Sequence, residues 1–414
     1  MGVDTFVGFG RGMSEQDKKE RWLVAVTAGR WQMHGIRMAQ RAGLRVFAVD
    51  GSDDAPGLAI ADHAMVVDAR SPQAVVEAVR GSGIEPSGAI AFVSEVGMLP
   101  ASAVREQWRL PGHDSGVVRR LLDKQLQREL WDQAGVPSPQ WRRAGSLAEV
   151  QTAVAELGLP VIIKPVDCAG SRGVTRVESK MEIADAVQKA LSATRSGRLL
   201  VESFMEGVEY AVETFFHQGV AHVLAVTGKK KVPGSRGTVA MELATPDLPA
   251  AVVEKIGMTA VQALTALGYR DGPGHTEIIL QSGDRPGLVE TAGRGGGFMV
   301  FDAMAQMASG YDLPTACALQ AVGLPPPSCV VDRQAVVLRF FPTVPGTVRR
   351  LDGFDEANRL PGVVTGSFMT VGSVVGVASC DGDRLGFILS RAATPAQAQT
   401  LADTAEAMIH IEIS

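Results

Sequence analysis

The stretch HTEIILQSGDRPGLVETAGRGGG, His275 to Gly297, carries a glutamate on each side of a turn and then an arginine among glycines. A hairpin that turns at Gly283-Asp284 sets Glu277 opposite Glu290, and Gly-Asp is a workable two-residue turn. Opposed side chains on one face start roughly 4.5–5.5 Å apart at Cβ. Like charges that close must be neutralised. A hard divalent cation does this, and carboxylate plus phosphate oxygens are how magnesium is usually held. Pro286 leaves room for a larger loop and a different register. The plainer alternative is two glutamates on a solvent face, with Arg294 as a local ion-pair partner.

Three further constellations could act on the same chemistry. In VIIKPVDCAGSRGV, Lys164 ends a β-branched strand just before a loop holding Gly170, Ser171 and Gly173. Backbone N–H groups of such a loop can approach phosphate oxygens, and the lysine supplies a point charge. No G-x-x-x-x-G-K-[ST] run is present, so this is not a P-loop. In VESFMEGVEYAVE, apolar Val201, Phe204 and Met205 alternate with Glu202, Glu206, Glu209 and Glu213. A flat base needs an apolar slot with peptide edges, and a ribose needs a carboxylate such as Glu209 to accept its hydroxyl protons. TGKKKVPGSRG reads as a basic loop able to close over phosphates, with Lys229 to Arg236 as the lid. Each segment also has an ordinary reading: a glycine hairpin, an edge strand with a charged outer face, a solvated charge run.

The elements that must position these residues are legible from periodicity. From Trp22 short apolar runs alternate with helical spacing, which predicts a parallel sheet covered by helices over 21–112. Ser71 followed by Pro72 marks a helix start. Gly29 and Gly35 lack the G-x-G-x-x-G spacing, so an ordinary α/β half-domain is the better reading than a dinucleotide site. LLDKQLQRELWDQAG predicts one helix that stops at Gly135. Ser146 with Glu149 and Ser179 with Glu182 have capping-box spacing. Antiparallel strands follow, and a last helix spans Pro395 to Met408. The proline-rich 323–328 suggests a boundary, giving domains 21–112, 113–328 and 329–414.

The chain has 414 residues, 46% hydrophobic and 21% charged, with a net charge of -5. That is a globular composition without the concentrated positive field a nucleic-acid or anionic-membrane partner requires. The four cysteines form no C-x-x-C pair, so neither a zinc site nor a disulfide framework is expected. No apolar run is long enough for a membrane span or signal peptide, residues 1–20 read as a loose leader, and a cytoplasmic location is expected.

In this order and spacing the segments resemble the ATP-grasp superfamily over Trp22 to Ser414. The resemblance implies a pre-ATP-grasp α/β domain, a central nucleotide-binding domain of two α+β subdomains, and a small C-terminal α+β domain. It implies ATP and two magnesium ions, with manganese as an alternative occupant. Lys124 and Lys164 would contact the nucleotide and its phosphates beside Gly170 and Ser171. Glu202, Phe204 and Met205 would face adenine, and Glu209 would hold ribose. Glu277 and Glu290 would bind the metals, and Arg294 would meet the transferring phosphoryl group. The superfamily usually reads E-x-N-x-R here, whereas Ala292 cannot ligate. The basic loop, the glycine-rich end of the hairpin and RFFPTVPGTV look most like the L-amino-acid ligase group. The activity implied is an amide-forming carboxylate–amine ligase that passes through an acyl phosphate and acts on small molecules; homodimers are common in the superfamily. Two other readings are a nucleotide-biosynthesis enzyme using formate or bicarbonate with a ribosyl amine, and a non-catalytic nucleotide-binding protein.

Overall fold

β1 (Trp22–Val26), β2 (Arg45–Asp50), β3 (His63–Val66) and β4 (Pro86–Ile90) pair in parallel in the order β3-β2-β1-β4. The computed structural model describes residues 20–168, 170–231, 240–341, 344–376 and 384–414. Leu23 through Val26 are wholly buried, so β1 is covered on both faces, as parallel strands usually are. Ser71 Oγ accepts the Ala74 N–H, and Pro72 sits where its missing N–H costs nothing.

The single helix expected across 121–134 is two. Ser115–Leu122 ends at Asp123, whose extended backbone breaks the run and whose carboxylate caps Lys124–Ala134 through the N–H groups of Gln125 and Leu126. The break places Lys124 in the first turn of a new helix.

β5 (Trp141–Ala144), β6 (Val161–Pro165), β7 (Thr175–Val177) and β8 (Leu199–Ser203) form an antiparallel sheet in the order β5-β8-β6-β7. At its first helix Ser146 Oγ accepts the Glu149 N–H, while the Glu149 carboxylate reaches the Gly145 N–H at 2.6 Å. At the second, Ser179 makes no side-chain cap, and a 3-10 turn Lys180–Glu182 leads into Ile183–Ala193.

The remaining strands are β9 (Val208–His217), β10 (Val220–Lys231), β11 (Ala240–Ala244), β12 (Gly272–Gln281), β13 (Arg285–Ala292), β14 (Ala335–Phe341), β15 (Gly346–Asp352), β16 (Val363–Ser367), β17 (Val374–Val375), β18 (Gly386–Ala392) and β19 (His410–Ile413). Eight of them make one sheet, β13-β12-β9-β10-β11-β14-β18-β16. Strands after the proline-rich segment therefore extend the central sheet, with Glu242 facing Arg339 at the seam. β17, β15 and β19 form a small sheet of their own. The helix Pro395–Met408 starts at the predicted proline, where Thr394 caps it. Among the described residues no helix is long and apolar enough to cross a membrane.

Candidate active site

β12 and β13 make the predicted ribbon, and Glu277 faces Glu290 across it. The route to that register differs from the two-residue turn expected. Gln281 pairs with Arg285, which leaves a three-residue loop, Ser282 to Asp284, with positive φ at Gly283 and Asp284. Continued without interruption, that register would set Val289 opposite Glu277. A bulge at Val289 absorbs one residue and brings Glu290 into line. The Val289 carbonyl, freed from the ladder, accepts Arg128 Nη2 at 2.6 Å.

At an effective dielectric of about 20, two like charges about 5 Å apart repel by roughly 3 kcal/mol. The protein answers with cations from three elements. Lys124 Nζ lies 3.0 Å from Glu290 Oε2 and donates to the Cys168 carbonyl at 2.7 Å. Lys229 Nζ bridges Glu277 and Glu209, the latter at 2.9 Å, and Lys231 Nζ reaches Glu209 at 2.5 Å. His275 Nδ1 meets Glu213 at 2.5 Å, and its Nε2 lies 3.8 Å from Glu277. Burial opposes the imidazolium, yet Glu213 and Glu277 raise His275 to about 9. Burial would likewise raise Glu277, but Lys229 and His275 hold it well below the usual carboxylate range.

Arg294 Nη2 sits 2.6 Å from Glu95 Oε1, so this arginine ties the end of the ribbon to the N-terminal domain. Gly295 and Gly296 follow because their backbone runs against Phe301, Val300 and His275; a Cβ at Gly295 would collide with the Phe301 ring. Phe298 and Met299 then adopt positive φ of 53° and 69° and enter a π-helical turn, Val300–Met304. Consecutive left-handed non-glycine residues before a π turn are a strained arrangement of the kind that gathers at functional sites.

A second charged centre lies on β6 and β8. Glu202 is 4% exposed and held between Arg128 Nε at 2.9 Å and Lys164 Nζ at 2.8 Å. Its carboxylate is thus engaged inside the protein rather than turned toward a base. Burial, against the pull of Glu202, lowers Lys164 to about 8. The glycine loop beyond Lys164 is exposed at Gly170 and Ser171, both with positive φ. Phe204 and Met205 are half-buried where the chain passes from β8 to β9, and Arg176 lies 3.9 Å over the Phe204 ring. Of the lid Lys229 to Arg236, Lys229–Lys231 are strand residues of β10 and 232–236 lie outside the described residues. Cys380 also lies outside them.

Sequence reasoning missed Glu95, Arg128 and the placement of Lys229 inside the site. The last was readable in part: strand alternation separates Lys230 from Lys229 and Lys231, and the β9–β10 register then sets that pair on the face of Glu209. No local pattern could have announced Glu95, which is 199 residues from its partner.

Among the described residues no three His, Cys, Asp or Glu side chains gather at metal-binding distance. The donor set is two facing carboxylates with cations around them. This fits a hard ion that takes its remaining oxygens from phosphate and water, since Glu277 and Glu290 supply only part of a shell. His275 turns its Nδ1 to Glu213.

Residues 157–302 match the model of an ATP-grasp domain, and 339–414 match L-amino acid ligase C-terminal domain 2. Among curated proteins, the chain is 28% identical over 338 residues to the uncharacterized protein y4rH of Sinorhizobium fredii, covering 79% of this chain and 68% of that one. It is 30% identical over 208 residues to the formate-dependent phosphoribosylglycinamide formyltransferase of Rhodococcus jostii, covering 44% of this chain and 49%, about half, of the formyltransferase. Among solved structures, an L-amino acid ligase from Bacillus licheniformis superposes with a TM-score of 0.83 at 22% identity, covering 96% of this chain and all of the other, which is a likeness of fold. The first match takes in the carboxylate ribbon together with Lys164 and Glu202, and the second runs to the last residue, so the chain carries an ATP-grasp domain followed by an L-amino acid ligase C-terminal domain.

Proposed function

We propose that the protein is an ATP-dependent carboxylate–amine ligase acting on amino-acid-like substrates and releasing ADP and phosphate. The observation that carries this is the facing pair Glu277 and Glu290, each partnered by a lysine able to turn to a phosphate instead. The match of 339–414 to the L-amino acid ligase C-terminal domain favours amino acids as substrates.

Lys124 and Lys164 bind phosphate oxygens, with the N–H groups around Gly170 and Ser171 alongside. Phe204 and Met205 line the adenine slot. Glu209 accepts ribose hydroxyl protons once Lys229 and Lys231 release it. The Glu202 carboxylate orients Lys164 and Arg128. Glu277 and Glu290 hold magnesium, which when bound offsets the charge of the phosphates, and two ions would need most of their oxygens from nucleotide and water. Arg294, held by Glu95, stabilises charge as the phosphoryl group passes to the substrate carboxylate. The acyl phosphate is then open to an amine, and the chemistry requires that water be kept from it.

ADP release measured over pairs of amino acids, and over each alone, tests the reading. Release should require an amino acid and rise when a second is added. Release supported by formate with a ribosyl amine, and by no amino acid, overturns it. The formyltransferase similarity over 44% of this chain is what favours that second reading.

A further inference from the structure

A cavity of about 490 Å3 lies away from the carboxylate ribbon's charged face, between the N-terminal sheet and the first residues of β12. Its walls come from the end of β4, the helix Met98–Trp108, the connection through His113, and the end of the helix Leu313–Ala321. None of the residues placed above on nucleotide or metal lines it. The volume is in the range of small-molecule sites, roughly 300–1,000 Å3.

Most of the lining is apolar, including Met98, Val118, Leu121, Tyr269 and Leu324. Its charged groups are unequal. Asp271 is already engaged: its Oδ1 accepts the Gln218 N–H at 2.7 Å and Gln320 Nε2 at 3.0 Å. Arg105 is also held by neutral groups, but it has no counterpart to the His217 Nδ1 that lies 3.7 Å from Asp271 Oδ1. Its guanidinium donates to the His113 carbonyl through Nε at 3.0 Å and Nη2 at 2.8 Å, and to the Ala89 carbonyl through Nη1 at 2.9 Å. Three of its five N–H groups are thus spent on neutral acceptors, and two remain. Arg105 has no ion pair among the described residues. The acids that act on it through space, Glu106 and Asp114, accept the backbone N–H groups of Ser115 and Val117 instead. Burial pushes Arg105 down to about 10, which still leaves it charged at neutral pH.

A cation held on carbonyls, without a counter-ion, at the wall of an apolar cavity is a costly arrangement unless an anion completes it. Arginine's planar fork suits a carboxylate. We propose that this cavity is a second ligand site, separate from the ribbon, for a small carboxylate with an apolar body, its carboxylate on Arg105 and its body against Met98, Leu121 and Leu324. The floor of the cavity includes Gly293, adjacent to Arg294, so an occupant sits one residue behind the group proposed to act on the phosphoryl transfer.

Titration calorimetry on the full chain without nucleotide tests this, with hexanoate as the probe and 1-hexanol as its uncharged match. Hexanoate should bind at about 1 mM or tighter, and 1-hexanol at least tenfold more weakly. Arg105→Gln should remove hexanoate binding, Arg105→Lys should keep part of it, and Ala321→Phe should block it by filling the space. Glu290→Gln should leave it unchanged. Equal binding of hexanol, binding that survives both Arg105→Gln and Ala321→Phe, loss of binding in Glu290→Gln, or no heat of binding for hexanoate each overturns the proposal. If Arg105→Gln does not fold, the Arg105→Lys and Ala321→Phe results with the hexanol comparison decide it.

Discussion

Two clusters of acids and bases share the eight-stranded sheet, and three consecutive lysines at the end of β10 are divided between them. Lys229 and Lys231 go to Glu209 and Glu277, while Lys230 goes to Glu242 on the other face. Around Glu242 the dominant partner is Arg339, whose Nε lies 2.8 Å from Glu242 Oε2 and whose two other nitrogens hold Asp403 and Glu406 of the last helix. Glu242 is 3% exposed and fixed by a planar fork that locks three elements together. On the ribbon face Glu277 and Glu290 have partly exposed side chains, and their close ion-pair partners are lysines on separate elements. Arginine's fixed geometry suits holding; lysine's single mobile ammonium suits exchange. The same residue types on one sheet therefore make a clasp on one face and a site on the other.

The largest effect should come from Glu290→Gln. It removes a metal-binding oxygen and leaves Lys124 without its partner, so kcat for ADP release should fall by about 100–1,000-fold, while the unfolding midpoint moves little. Turnover close to wild type would erase the distinction between the faces. Arg339→Met should show the reverse. Leaving Glu242 buried with only Lys230 and Gln399 should cost about 3 kcal/mol in urea unfolding, while ADP release per folded molecule stays within about twofold. A loss of turnover larger than the loss of folded protein would make Glu242 part of the site.

The two faces were legible in the sequence to different degrees. Period-two alternation puts Glu209 with Glu213 on one face of β9 and His275 with Glu277 on one face of β12, but that these faces coincide, and that Lys229 joins them, follows only from the strand registers. The facing of Glu277 and Glu290 was anticipated from a two-residue turn, but the structure reaches it through a longer loop and a bulge whose effects cancel. Neither feature has a local signature strong enough to be read in advance. The break at Asp123 was missed because apolar spacing continues through it, although aspartate is a strong cap residue. The pairings of Arg128, Glu95 and Arg339 could not be seen. Their partners lie 74, 199 and 97 residues away, and only the assembled sheets bring them together.

Lys229→Met sharpens the comparison by asking whether the ribbon's cations are exchangeable. Lys229 pairs with Glu277 and Glu209, so it competes with any divalent ion for those oxygens. Removing it should tighten manganese binding to the protein alone by about tenfold, roughly 1.4 kcal/mol, measured by electron paramagnetic resonance. Nucleotide affinity should weaken in the same variant, since the lysine is also a phosphate partner. Manganese affinity that stays the same would mean that Lys229 is a fixed strut like Arg339.

The smallest effect concerns pH. Burial brings Lys164 to about 8, so in the free protein it is cationic below that value and progressively neutral above it. The charge on a terminal phosphate is nearly complete above about pH 7. Any loss of ATP affinity from pH 7 to 9 then reports on the protein's cations. Affinity should fall by about fivefold over that range, less than the full tenfold per unit because bound phosphate itself favours the ammonium form. His275, at about 9, titrates later and faces Glu213 and Glu277, so it contributes mainly at the upper end. Lys164→Arg separates the two: a guanidinium stays charged throughout, so the slope between pH 7 and 8.5 should flatten while any change near pH 9 persists. A wild-type profile already flat would place Lys164 with Arg128 and Glu202 as scaffold, and the lysines that exchange would be Lys124 and Lys229 on the ribbon.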